Sequence, residues 1–309
     1  MNTTFLLNGG AGRVVCAIPA LEKYHKLNPE DDFKVLVAGW ESLFWSHPLL
    51  QDRSFDPNQK GSFVLHVKNN KLIVPEPYNF YKFYNQQLNL IEAFDELINK
   101  SENHDDLKGC NYLYLNTNEK NQAKQNIEYY KNFKGVDKVI VFQPYGSGVQ
   151  NINNEAVDDS NRSLSVKNYF DIVKNLSSKA AIIFMGNNQL RHANDDISIY
   201  FNDDAYYLRN FMGVISECDF FLGVDSVGQH IAKSFNKPGM ILMGGTDEKN
   251  YSYPNHFKIF RKSNTVPTYS PWRICDVDSS YTNRTNDGLM EYSNKEIEDI
   301  CNYVLKDIK

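Results

Sequence analysis

The chain has 309 residues, 41 % of them hydrophobic and 23 % charged, with a formal net charge of −5. That length accommodates two domains of ordinary size, and the composition is that of a globular protein rather than a disordered one. The acidic balance weighs against a generally basic nucleic-acid binder, and no apolar run reaches the roughly 20 residues that a bilayer-spanning helix needs.

Residues 5–7 form a short apolar stretch with no basic lead before it, so it reads as a first buried strand and not as a secretory signal. It runs into Asn8-Gly9-Gly10-Ala11-Gly12. A helical pattern follows with Val14, Ile18 and Leu21 on one face, and Pro19 inside it predicts a kink or a late start. Residues 33–39 are a second strand, which completes the opening of a βαβ unit. Residues 62–67 and 71–74 read as strands around an Asn-Asn turn, and Pro75 and Pro77 then break the chain. Residues 79–99 carry Phe80, Tyr84, Leu88, Ile91, Phe94 and Ile98 at helical spacing and predict one long helix. A strand over 112–115 and a helix over 119–133 follow.

The α/β rhythm restarts after residues 134–137. Strands are expected at 138–143, 180–185, 219–224 and 239–243, and helices at 165–176, 205–217 and 228–235. Asn236-Lys237-Pro238 stops the last of these helices. Residues 294–308 are amphipathic, with Ile297, Ile300, Cys301 and Val304 on one face. The expected fold class is therefore α/β, with two Rossmann-like domains facing each other across a cleft. The expected division is residues 1–135, residues 136–285, and a C-terminal helix within 286–309 packing back on the first domain. Five single cysteines (Cys16, Cys110, Cys218, Cys275, Cys301) show no metal spacing and suit a reducing, cytoplasmic setting.

Four segments are placed to carry chemistry. The strand 219–224 ends in Asp225-Ser226-Val227-Gly228-Gln229-His230, where a helix begins. A helix N-terminus at the carboxyl end of a parallel strand suits a diphosphate. Ser226 is placed to cap that helix or to donate to a phosphate oxygen, and His230, one turn in, to face the same anion. Gly146-Ser147-Gly148 follows the first strand of the second half, with Arg162 and Lys167 beyond it to offset phosphate charge. Gly9-Gly10-Ala11-Gly12 is half a dinucleotide fingerprint without the full spacing, which argues against an NAD enzyme. Arg13 stands at its mouth. Thr246 and Asp247, after the strand 239–243, border the same cleft. Asp276-Val277-Asp278 has D-x-D spacing but sits in a late loop, so no metal site is expected.

These segments resemble the ADP-heptose:lipopolysaccharide heptosyltransferases, glycosyltransferase family 9. Residues 12–21, Gly-Arg-Val-Val-Cys-Ala-Ile-Pro-Ala-Leu, are similar to the family's G-D…P-A-L opening. Residues 90–97 are similar to its first-domain helix, and residues 142–148 to its first donor loop. Asp225 to His230 resembles the D-[ST]-G-x-x-H motif, and residues 237–247 the K-P…G-P-T-D end. The resemblance implies a GT-B fold and a metal-independent, inverting transfer without a cofactor. It implies a nucleotide-diphosphate sugar held by the second domain and an acceptor held by the first, with Asp225, Ser226, Gly228 and His230 on the donor. Ser147 and Thr246 would then flank the donor and Arg162 offset its charge.

Two departures stand out. The family's catalytic Asp falls on Arg13, and a guanidinium, always protonated, is no base. Val227 stands where the motif has Gly, and Gly228 comes one place later. Glu41 and His47, after the second strand, are alternative bases by position. The acceptor is expected to be a surface glycan or a hydroxymethylated DNA base. The alternative reading is a catalytically silent nucleotide-sugar binding protein.

Overall fold

The computed structural model describes residues 1–153, 155–158, 160–186, 198–200, 207–262, 273–274, 277–278 and 288–308. In chain order the first half contains β1 (Thr3–Leu7), α1 (Ala11–Leu27), β2 (Lys34–Val37), β3 (Ser54–Phe55), β4 (Lys71–Ile73), a 3-10 turn over Pro77–Asn79, α2 (Tyr81–Tyr84) and α3 (Leu90–Asn99). Its four strands lie parallel in the order β3-β2-β1-β4. Phe5, Tyr24 and Phe33 meet edge to face at centroid distances of 4.8, 5.7 and 5.5 Å, fastening α1 to the sheet. On its other side α1 meets α3 through the buried pair Lys23–Asp95, 2.9 Å apart.

The second half contains α4 (Thr117–Lys134), β5 (Val139–Gln143), a hairpin of β6 (Gln150–Ile152) and β7 (Glu155–Val157), α5 (Val166–Leu176), β8 (Ala181–Phe184) and β9 (Ser198–Tyr200). It continues with α6 (Tyr207–Glu217), β10 (Phe220–Val224), α7 (Val227–Ser234), β11 (Gly239–Met243), α8 (Glu248–Tyr251), β12 (Lys258–Arg261) and α9 (Asn294–Asp307). Six strands form a parallel sheet in the order β12-β11-β10-β5-β8-β9. Every residue of β5, β8, β10 and β11 is buried, as expected for a parallel sheet covered on both faces. Alternation decides which layer each side chain joins. Ile140, Phe142, Ile182 and Leu222 pack with α5 and α9, whereas Val139, Val141, Ile183 and Phe221 join a core continuous with the first half.

The two-domain α/β expectation is met, but several boundaries move. The C-terminal helix α9 does not return to the first domain. Ile297, Ile300, Cys301 and Val304 cover the second sheet beside Ile172 and Leu176 of α5, where an otherwise bare sheet face needs a second helix. Helix α4, expected within the first domain, packs on α6 and against β5 and β8 of the second sheet. Residues 112–115 do not form a strand. The Tyr112 and Leu113 N–H groups donate to Ser234 Oγ (3.1 and 2.9 Å) at the end of α7 instead of to a sheet. Residues 63–67 form a π-helical turn whose His66 carbonyl accepts from Thr4 Oγ1 and Asn70 Nδ2. The helix expected over 79–99 breaks at Gln86, which has φ +61°, and restarts at a capping box formed by Asn89 and Glu92.

Candidate active site

Asp225 and Ser226 follow β10, and α7 begins at Val227. Ser226 stands at the N-cap but makes no capping hydrogen bond. Gln143, at the end of the neighbouring β5, takes that role. Its Nε2 donates to Ser226 Oγ (3.0 Å) and its Oε1 accepts from the Gly228 N–H (3.0 Å). This bridge also explains why glycine stands at 228. A Cβ there would collide with Gln143 Oε1 and lie 2.7 Å from Phe221 Cζ. Asp225 is buried, and its Oδ1 accepts from Gln229 Nε2 at 3.1 Å.

The loop after β5 is knotted around Asp158, a residue without a sequence signal. Its carboxylate accepts from the Ser160 N–H (2.8 Å), Ser160 Oγ and Ser163 Oγ (2.5 Å), and Ser163 Oγ accepts from the Gly146 N–H (2.9 Å). A Cβ on Gly146 or Gly148 would stand 3.3 or 3.2 Å from that carboxylate, so the glycines let the loop close on it. The knot aims Arg162, which donates from Nε to Ser160 Oγ (2.9 Å) and from Nη1 to the Asp225 carbonyl (3.5 Å). Ser147 sits exposed at the tip of the same turn.

Across the cleft, β1 is followed by Gly9, whose φ of +94° places it in the left-handed region, and Gly10 is the N-cap of α1. No side chain caps this helix among the described residues, which leaves the N–H groups of its first turn to other partners. Gly12 brings α1 against α7. A Cβ on Gly12 would lie 3.0 Å from His230 Cδ2 and 3.7 Å from Val227 Cα. The positive ends of two helices from opposite domains thus converge beside Arg162. Arg13, 5 % exposed, pairs through Nη2 with Glu76 Oε1 at 2.9 Å and lies 4.6 Å from the Tyr78 ring centre. Its Nε and Nη1 are buried with no hydrogen-bond partner among the described residues.

The loop after β11 reaches back to the first domain. Asn250 Nδ2 donates to the carbonyls of Phe83 (3.0 Å) and Leu88 (2.6 Å), and Tyr251 packs edge-on against Phe83 at 5.4 Å. Tyr251 stands among Tyr78, Asp225 and Arg162; burial first, then Tyr78 and Asp225, push its hydroxyl well above the usual tyrosine range. Thr246 Oγ1 is buried with no hydrogen-bond partner among the described residues, while the Thr246 carbonyl accepts from Arg261 Nη2 at 2.6 Å.

Three expected site residues have other surroundings. His230 is buried at the domain junction, with Nδ1 2.8 Å from Tyr253 Oη and 3.4 Å from Cys16 Sγ. Burial lowers its pKa to about 4, so the ring is neutral. Burial also pushes the Cys16 thiol up to about 12. His47 is not placed to serve as a base in the cleft. Its Nδ1 accepts from the Leu49 and Leu50 N–H groups (both 3.1 Å), its Nε2 faces Glu22 Oε1 at 3.3 Å, and its ring packs on Tyr114. Glu41 follows β2, with Oε1 accepting from the Gly39 N–H at 3.2 Å. Its helical turn contacts α6, α1 and β3, and the adjacent Trp40 Nε1 donates to the Gly9 carbonyl at 3.0 Å.

Sequence reasoning passed over Glu76, Tyr78 and Asp158, and reached Gln143 and Tyr251 only as members of the segments after β5 and β11, with no role of their own. Only Glu76 had a local mark: it lies between Pro75 and Pro77 directly after a strand, where the backbone is stiff. Among the described residues no group of three or more His, Cys, Asp or Glu is arranged to hold a metal ion. Asp276, Cys275 and most of residues 186–204 lie outside the described residues. No described helix is long and apolar enough to cross a membrane.

No protein-family model matches the sequence, and no curated protein resembles it at a significant level. Solved structures do share its fold. A family 9 glycosyl transferase from Veillonella parvula superposes with a TM-score of 0.68 at 11 % identity, covering 99 % of this chain and 98 % of that one. The E. coli ADP-heptose LPS heptosyltransferase II gives 0.61 at 12 % identity, covering 99 % of each chain. The dodecameric, iron-containing heptosyltransferase TibC of E. coli, in complex with ADP-D-β-D-heptose, gives 0.62 at 10 % identity, covering all of this chain and 77 % of that one. The chain therefore has the GT-B fold, extending over its whole length.

Proposed function

We propose that this protein is an inverting glycosyltransferase that takes a sugar from a nucleoside diphosphate donor, with an ADP-sugar as the first candidate. The observation that carries the reading is the convergence of the α1 and α7 N-termini beside Arg162. A departing diphosphate needs concentrated positive potential, and preorganised N–H groups supply it without moving. This reading gives the charge-neutralising role to protein groups and needs no metal for it. On this reading Asp225 and Thr246 meet a sugar or ribose hydroxyl, which would satisfy Thr246 Oγ1, buried with no hydrogen-bond partner among the described residues. The ADP-heptose named for two structural neighbours supports an adenine nucleotide and a heptose as the starting choice. A surface glycan or a hydroxymethylated DNA base is the acceptor class to try.

The test titrates the protein calorimetrically with ADP-, UDP- and GDP-sugars and follows nucleotide release with glycan and modified-DNA acceptors. Asp225→Ala should weaken binding of the preferred donor at least tenfold. Binding by the wild type with no release on any acceptor favours a silent binding protein, the reading that Arg13 motivates. No binding to any sugar nucleotide overturns both.

A further inference from the structure

Resting on that reading, we propose that Glu76 is the carboxylate that removes the proton from the acceptor hydroxyl, with Arg13 as the residue that positions it. The transfer requires a base on the first-domain side of the cleft, and Arg13 is unable to be one. Arg13 instead holds a carboxylate. Glu76 Oε1 accepts both from Arg13 Nη2 (2.9 Å) and from the Tyr78 N–H (3.1 Å). Two hydrogen bonds to one oxygen fix the carboxyl plane and leave Oε2 on a side chain that keeps 19 % of its surface open.

The topology places this group correctly. β4 neighbours β1, and Glu76 comes three residues after β4, at the carboxyl ends of the strands where a parallel sheet opens to its ligands. A chain of contacts then leads across the cleft: Glu76 to Arg13, Arg13 over Tyr78, and Tyr78 to Tyr251 of α8 at 6.4 Å. The other carboxylates near the cleft are engaged elsewhere. Asp247 Oδ1 caps α8 by accepting from the Lys249 and Asn250 N–H groups, Glu248 pairs with Arg261, Asp225 Oδ1 accepts from Gln229 Nε2, and Glu41 Oε1 accepts from the Gly39 N–H.

In the step, the acceptor oxygen forms a bond to the anomeric carbon while its proton passes to Glu76 Oε2. The bond from that carbon to the diphosphate oxygen breaks, and its electron pair leaves with the nucleoside diphosphate. Glu76 then returns the proton to water. Arg13, bonded to Oε1, holds Oε2 toward the acceptor.

The experiment uses the full chain with an ADP-sugar that it binds and water as the acceptor, reading ADP release. Glu76→Gln should bind that donor within about threefold of wild type, release ADP at least a hundredfold more slowly, and lose the fall in rate that acid produces. Glu76→Asp, which keeps the charge beside Arg13, should recover part of the rate, which separates catalysis from folding. A complex with a 2-fluorinated ADP-sugar should place Oε2 within about 4 Å of an oxygen facing the anomeric carbon. A Glu76→Gln rate within threefold of wild type, Oε2 turned away in the complex, or a wild type that binds the donor and never releases ADP would each overturn the proposal. Failure of the wild type to bind any sugar nucleotide overturns instead the reading on which it rests.

Discussion

Gly12 of the first domain lies directly against His230 of the second, so that a methyl group on Gly12 would stand 3.0 Å from His230 Cδ2 and 3.3 Å from Nε2. The imidazole has little room to retreat, because its Nδ1 is held near Tyr253 Oη and Cys16 Sγ. Gly12→Ala should therefore lower stability by about 1–3 kcal/mol through overpacking. It should also weaken donor binding, because the two helix ends must move apart. Thermal melting and a donor titration on one preparation check both effects. An unchanged melting temperature would mean that the helices do not meet as described.

Neutral, buried His230 makes stability depend on pH. Its folded pKa, lowered to about 4, lies below the ordinary value of 6.5. Between those values the unfolded chain binds a proton that the folded chain does not. Stability from this group is full above pH 6.5 and declines as pH falls toward 4, by on the order of 3 kcal/mol in total. Denaturant unfolding from pH 7.5 to 4 should show that loss, and the profile of His230→Asn should lack it. Burial also lowers His66 and His256, which add to the loss in the same window, so the difference between the wild-type and His230→Asn profiles is what isolates His230.

Gln143→Ala should weaken the donor site without touching the donor. It removes both ends of the bridge between Ser226 Oγ and the Gly228 N–H, and leaves the latter buried. A stability loss of about 1–3 kcal/mol is expected, with several-fold weaker ADP-sugar binding as the first turn of α7 loosens. Urea unfolding and calorimetry measure the two effects. A loss of stability with unchanged affinity would separate the cap from the ligand.

Arg209 of α6 is a buried clamp between the halves. It donates to Glu119 from Nε (2.8 Å) and Nη2 (2.5 Å), and from Nη1 to the carbonyls of Ser42 (3.1 Å) and Trp45 (3.2 Å). Arg209→Met strands one carboxylate and two carbonyls. A loss of about 3 kcal/mol is expected, near the lower end for a broken buried pair because Glu119 remains partly hydrated. Calorimetric melting should fall by several degrees, and a variant that melts with the wild type would show that the clamp contributes nothing.

Much of the architecture was legible in the chain because parallel strands buried on both faces leave uninterrupted apolar runs, as in residues 139–143, 220–224 and 239–243. Helix starts carry local marks too. The capping box at Asn89 and Glu92 lay within a run that apolar periodicity alone reads as one helix, and the local cap decided the break. The turn after β10, with Asp225 and Ser226, was readable for the same reason, since a strand end and a helix start stand almost side by side in the sequence.

The sequence by itself determined the α/β class, the second sheet and the position of the Asp225 loop, all of which rest on patterns a few residues long. Only the tertiary structure decided which side chains share that loop's surroundings. Gln143 and Ser226 are 83 residues apart, Arg13 and Glu76 are 63 apart, and Cys16 and His230 are 214 apart. It also sent α9 onto α5 and α4 onto the second sheet, because an amphipathic stripe specifies that a helix must be covered and not by what. Contacts between distant residues depend on how the sheets stack and how the helices cross, and no short-range period encodes either.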